Sequence, residues 1–157
     1  MISQTLEYAL RAVVHLARFP DSPQTNRQIA EATWVPEGYL SKVLQGLTRA
    51  GMISSHRGLY GGFLLIRPPE ELTIYEVAKA VDPLPRIRTC PLGLKSHGPN
   101  LCPLHRRLDE AMATVEKIFR STTVLELISD PDSPSPLCEV PSVPLARIGN
   151  VRRPIEG

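Results

Sequence analysis

The sequence predicts a mainly α-helical chain carrying one small β-hairpin, and three observations predict it. Apolar residues step by three and four through most of the first 82 positions and again from position 104 onward, the spacing of helix faces. Two short strand-like runs flank the glycine-rich stretch Arg57-Gly58-Leu59-Tyr60-Gly61-Gly62, which reads as a hairpin tip. At 157 residues, with 42% apolar and 22% charged content, the chain has room for one modest core.

Over residues 3–18, Leu6, Leu10, Val13, Val14 and Ala17 fall on one helical face, and Pro20, Asp21, Ser22 and Pro23 end that helix. Thr25 opens a second, short helix. Its hydroxyl caps free amides while Gln28, three residues on, reaches back, and Ile29 and Ala32 point inward. After Trp34-Val35-Pro36 a third helix is expected over 37–50, burying Leu40, Val43, Leu44 and Leu47, with Gly51 as its left-handed stop. Trp34 is expected to pack between the second and third helices. Strands are expected over 52–56 and 63–66, joined by glycines that accept positive backbone dihedrals. Thr73 with Glu76 repeats the capping pattern and opens a helix to about residue 81, packed by Ile74, Val77 and Ala78.

The composition then changes. Between Arg86 and Arg107 stand five basic residues (Arg86, Arg88, Lys95, Arg106, Arg107) and no acidic one, with Cys90, Cys102, His97, His105 and three prolines. From Leu104 the positions Leu104, Leu108, Ala111, Val115, Ile118, Thr122 and Leu125 alternate steps of four and three, a heptad seam that wants a partner helix. Beyond Asp130 come six of the 16 prolines and little periodicity, so the tail is expected to be disordered. Four segments follow: a winged helix-turn-helix over 1–82, a Cys/His loop over 83–103, a dimerisation helix over 104–129 and a Pro/Ser-rich tail over 130–157.

A net charge of +2 decides nothing about a nucleic-acid partner, because a local surplus hides in a balanced total. No apolar run approaches the roughly 20 residues of a membrane span. The start Met1-Ile2-Ser3-Gln4 lacks a basic-then-apolar leader, so a cytoplasmic protein without membrane contact is expected. Three cysteines, an odd number, argue against a disulfide scaffold. Phosphate-binding glycine motifs of the Walker type, nucleophile elbows and paired carboxylates in a recognisable setting are missing, so no enzyme is expected.

Two helices and a tight turn followed by a glycine-tipped hairpin make a winged helix-turn-helix, whose later helix enters the DNA major groove. On the helix over 37–50, Tyr39, Ser41, Lys42, Gln45 and Arg49 lie outside the expected core and donate or accept toward bases and phosphates. The wing adds Arg57, Gly58, Tyr60 and Gly61, where glycine backbone approaches a phosphate closely and an arginine enters a narrow minor groove. The expected partner is double-stranded DNA with a pseudo-palindromic operator, bound by a homodimer. The rival is a winged-helix module that binds another protein; Tyr39 and Tyr60 are the main apolar anchors it would offer.

The order of pieces resembles the Rrf2 family of dimeric winged-helix bacterial transcription regulators, over roughly residues 1–129. The resemblance is carried by Thr5-Leu6-Glu7-Tyr8-Ala9-Leu10-Arg11-Ala12, by Tyr39-Leu40-Ser41-Lys42-Val43-Leu44 with Leu47 and Ala50-Gly51, and by the wing from Arg57 to Leu65. Thr73-Ile74-Tyr75-Glu76-Val77, Cys90 and Cys102-Pro103-Leu104-His105 extend it. It implies a repressor whose wing arginine contacts DNA and whose dimer forms along the helix after the cysteine loop, through Leu104, Leu108, Ala111, Val115, Ile118 and Leu125.

The resemblance also implies a sensor, since relatives that sense through iron and sulfur use three evenly spaced cysteines in this loop. Here Cys90 and Cys102 take the outer positions, His105 the histidine place and Glu7 the acidic place on the first helix, while Ser96 stands at the middle position. Two thiolates, an imidazole and a carboxylate would hold a two-iron iron-sulfur cluster. Cys90, His97, Cys102 and His105 would equally make a tetrahedral zinc site, and the loop also reads as one with no cofactor or with thiols sensing redox state. Cys138 is far away in the tail.

Overall fold

The computed structural model describes residues 2–97, 100–132 and 136; Cys138 and most of the tail lie outside the described residues. The elements run α1 (Gln4–Ala17), α2 (Asn26–Thr33), α3 (Glu37–Arg49), β1 (Ile53–His56), β2 (Gly62–Leu65), α4 (Ile74–Val81), α5 (Pro103–Ser121) and α6 (Val124–Ser129), with one 3-10 turn at Lys95–His97.

Ser3 starts α1 by accepting the Leu6 amide at 3.1 Å. The helix buries Leu6, Ala9, Ala12, Val13 and Leu16. That face is broader than the expected stripe and leaves Leu10 and Ala17 at its edge, because α2, α3, α4, α6 and β2 all pack on α1. Thr25 and Gln28 form the expected capping box on α2, as do Thr73 and Glu76 on α4. Helix α3 buries Leu40, Val43, Leu44 and Leu47, as its spacing requires. Strands β1 and β2 pair antiparallel from Ile53 opposite Leu65 to His56 opposite Gly62. The wing is fastened at its root, where Gln24 and Phe63 exchange backbone hydrogen bonds of 3.0 and 2.8 Å.

Two expectations are corrected. Trp34 does not pack between α2 and α3; it is exposed, in a left-handed conformation at φ 58° that caps α2, while its neighbour Val35 is buried. The single helix over 104–129 is two helices. Thr122 and Thr123 are extended, and the Thr122 carbonyl accepts the Ile74 amide at 3.1 Å. Thr123 then forms a third capping box, with Glu126, and starts α6. The reason is packing: Val124 is buried in the core and its amide donates to the Leu72 carbonyl at 2.8 Å, which a continuous helix would forbid. Leu125 therefore stands on a different helix from Leu104, Leu108, Ala111, Val115 and Ile118. Among those five, Leu104, Leu108, Ala111 and Ile118 are exposed and Val115 is half-buried; α5 has no buried residue. Among the described residues no helix is long and apolar enough to cross a membrane.

Candidate nucleic-acid interface and sensing loop

Helices α2 and α3 form the helix-turn-helix. The turn is set by the Val35 amide, which donates to the Ala30 carbonyl at 3.2 Å, and by Pro36, whose carbonyl accepts the Leu40 amide at 2.9 Å. With Leu40, Val43, Leu44 and Leu47 turned inward, Lys42, Gln45 and Arg49 are left exposed, spaced three and four apart on one wet face.

The other two expected α3 residues are held rather than free. The Tyr39 hydroxyl shares a 2.6 Å hydrogen bond with Thr5 Oγ1, and its ring meets Tyr8 edge-on at 5.4 Å, which locks α3 to α1. Arg11 adds to the same corner, donating to Glu7 at 2.6 Å and to the Thr33 carbonyl at 3.0 Å. Ser41 donates to the Glu37 carbonyl at 3.0 Å and accepts from Asn26 Nδ2 at 2.8 Å, so its proton is already committed within the fold. Asn26, the first residue of α2, was not expected at this site. It bridges the two helices, and its Oδ1 is buried without a partner. Local spacing carried no signal for it, since Asn26 meets Ser41 from 15 positions away through the packing of α2 on α3.

At the wing, Arg57, Gly58 and Tyr60 are exposed, and Gly61 closes the tip by donating its amide to the Gly58 carbonyl at 3.0 Å. Residues 38–66 contain Lys42, Arg49 and Arg57 and no Asp or Glu, so the helix face and wing share one sign of charge.

The loop over 83–103 is anchored differently from its expected charge pattern. Arg86 is not uncompensated: it clasps Asp109 with two hydrogen bonds of 2.7 and 2.8 Å and reaches Glu116 at 3.1 Å, both on α5. The guanidinium, with the Ile87 amide at 2.8 Å, holds the Asp109 carboxyl down at about 2. Arg107 likewise pairs with Glu110 at 2.8 Å. Glu116 also takes Arg120, whose guanidinium lies 3.5 Å above the Tyr75 ring of α4. The root of the loop, α5 and α4 are thereby joined by charge.

Of the expected metal ligands, Cys102 and His105 come together, with Sγ and Nδ1 3.3 Å apart at the start of α5. Cys90 does not join them in a metal-binding group, and Glu7 is occupied by Arg11 on α1. The His97 side chain lies outside the described residues. Among the described residues no three His, Cys, Asp or Glu side chains converge as metal ligands do. A zinc ion or a two-iron cluster asks for about four protein donors, of which Cys102 and His105 are the two that lie side by side among the described residues.

The comparisons agree with this architecture. A model of the Rrf2 family, described as iron-dependent transcriptional regulators, matches residues 2–130. The chain is 28% identical over 132 residues to a protein named as an HTH-type transcriptional regulator in Aquifex aeolicus, covering 82% of this chain and 92% of that one. It is 38% identical over 93 residues to an Rrf2-like HTH-type regulator of Rhodobacter capsulatus, covering 54% and 62%. Among solved structures, IscR of T. potens superposes with a TM-score of 0.69 at 21% identity, covering 83% of this chain and 87% of that one, a likeness of fold. CymR of B. subtilis, titled a global cysteine regulator, superposes with a TM-score of 0.67 at 25% identity, covering 81% and 95%. With a helix-turn-helix, a fastened wing and a family match over nearly all its described residues, the chain belongs to the Rrf2 family of winged-helix transcriptional regulators.

Proposed function

We propose that the protein acts as a homodimeric repressor that binds a pseudo-palindromic DNA site. The observation that carries this reading is the single-signed surface made by Lys42, Gln45 and Arg49 on α3 and Arg57 on the wing, with no acidic residue over 38–66. Lys42, Arg49 and Arg57 neutralise phosphates, and each phosphate contact adds about 0.9 to the salt slope of binding. Gln45 and Lys42 read base edges, a good contact being worth roughly 1–3 kcal/mol. Ser41, Tyr39 and Asn26 hold the reading helix in place. The uncovered α5 seam pairs with its copy, setting two α3 helices about 34 Å apart for successive major grooves.

Signal reception is assigned to the loop over 83–103, since Arg86 ties its root to α5 and, through Glu116 and Arg120, to α4. Redox state, iron-sulfur status and nitric oxide are the candidate signals. A signal acts by preferring one dimer arrangement over another, and no step here passes through a metal.

The test is a gel shift on genomic fragments across a salt series. Lys42→Ala with Arg57→Ala is expected to lower the slope of log affinity against log salt by about 2. Unchanged retardation by the double variant overturns the assignment of this surface.

A further inference from the structure

We propose that Leu59, with Tyr60 beside it, is an apolar wedge that enters the minor groove and bends the operator. The inference rests on the DNA-binding reading above and adds to it a residue which that surface did not include.

The wing tip is a four-residue turn, Gly58 to Gly61, with Leu59 and Tyr60 as its two central residues. Turn centres favour Gly, Pro, Asn, Asp and Ser, which lower the cost of reversing the chain; Leu and Tyr contribute nothing of that kind. They are also 91% and 88% exposed, the two most exposed large apolar side chains of the protein's described residues. The tip that carries them is held firmly. A Cβ on Gly61 would lie 2.5 Å from the His56 carbonyl oxygen, so the turn folds back tightly on β1. The wing root is fastened by the paired hydrogen bonds between Gln24 and Phe63. A stiff arm therefore presents two bulky apolar groups to water.

Charge selects the occupant. Arg57 precedes the turn and His56 stands next to it, and the nearest acidic residues in sequence are Glu37 and Glu70. An apolar tip beside a cation suits the minor groove, about 6 Å wide, where sugar walls contact apolar atoms and phosphates line both rims. Leu is among the residues that open a base step in this way, and such wedges kink DNA by roughly 20–90°.

The experiment uses the full chain and a duplex selected from a random pool by the wild-type protein. Bending is read by energy transfer between dyes at the duplex ends, and affinity by gel shift across a salt series. Leu59→Ala with Tyr60→Ala is expected to abolish most of the bend and to weaken binding about tenfold, the size of one lost apolar contact. The salt slope stays at its wild-type value, whereas Arg57→Ala lowers it by about 1. Leu59→Met retains the bend. A wild-type bend and affinity in the double alanine variant overturn the wedge while leaving DNA binding intact. So does a variant that keeps both but loses capture of a protein partner, which reassigns the tip to protein docking. If the wild-type protein selects no duplex, the DNA-binding reading itself fails.

Discussion

Replacing Leu108 and Ile118 by serine tests whether the uncovered α5 seam is the dimer contact. The two side chains are 48% and 55% exposed, so roughly half of each remains to be covered by a partner. Complete burial of a Leu or Ile side chain is worth about 2 kcal/mol, which leaves about 1 kcal/mol for each half. A symmetric dimer counts each position twice, so four truncations remove about 4 kcal/mol, close to a thousandfold rise in the dimer dissociation constant. Sedimentation equilibrium measures that constant directly. The fold itself is expected to survive, because no α5 residue is buried in the monomer core. Circular dichroism checks this, and Leu59→Ser, at a 91% exposed position away from α5, serves as the unaffected control. A doubly substituted protein that stays dimeric at wild-type concentrations refutes the seam as the interface.

Two further outcomes concern the wing and the first helix. Gly62→Ala places a Cβ 2.7 Å from the Gln24 backbone at a φ of +152°, a conformation that costs an L-residue about 1–3 kcal/mol. It is expected to loosen the wing and weaken DNA retardation while the helical signal in circular dichroism is kept; undiminished retardation shows that the wing root does not position the tip. His15 is buried beside Phe19 and hydrogen-bonded to Gln24, and burial, with Arg18 nearby, pushes its pKa below the ordinary 6.5 despite that bond. The folded state thus binds this proton less readily than the unfolded state. Its contribution to stability is complete above 6.5 and declines as pH falls below it, by no more than about 1.4 kcal/mol per pH unit. Urea midpoints at pH 7.5 and 5.5 are expected to differ less in His15→Gln than in wild type, and an equal difference refutes the assignment.

Local spacing made much of this protein legible. The capping boxes at Thr25 and Thr73 and the buried stripe of α3 involve residues within a few positions of one another, and the two strands flank one short glycine-rich tip. The third box, Thr123 with Glu126, had the same spacing but was hidden because Leu125 prolongs the heptad seam past the break. Ala9 and Ala12 were missed as core residues, since they lie off the expected stripe and become buried where other elements pack around α1.

By itself, then, the order of apolar and capping residues determined the number and kind of most elements, the helix-turn-helix, the wing, and which face of α3 stays wet. The tertiary structure alone decided that Ser41 and Tyr39 are held by Asn26 and Thr5, that Arg86 is neutralised by acids 23 and 30 positions away, and that Cys90 does not join Cys102 and His105 in a group of ligands. Periodicity reports which side of an element avoids water, whereas hydrogen bonds and ion pairs depend on which distant side chain the packed core delivers to within about 3 Å.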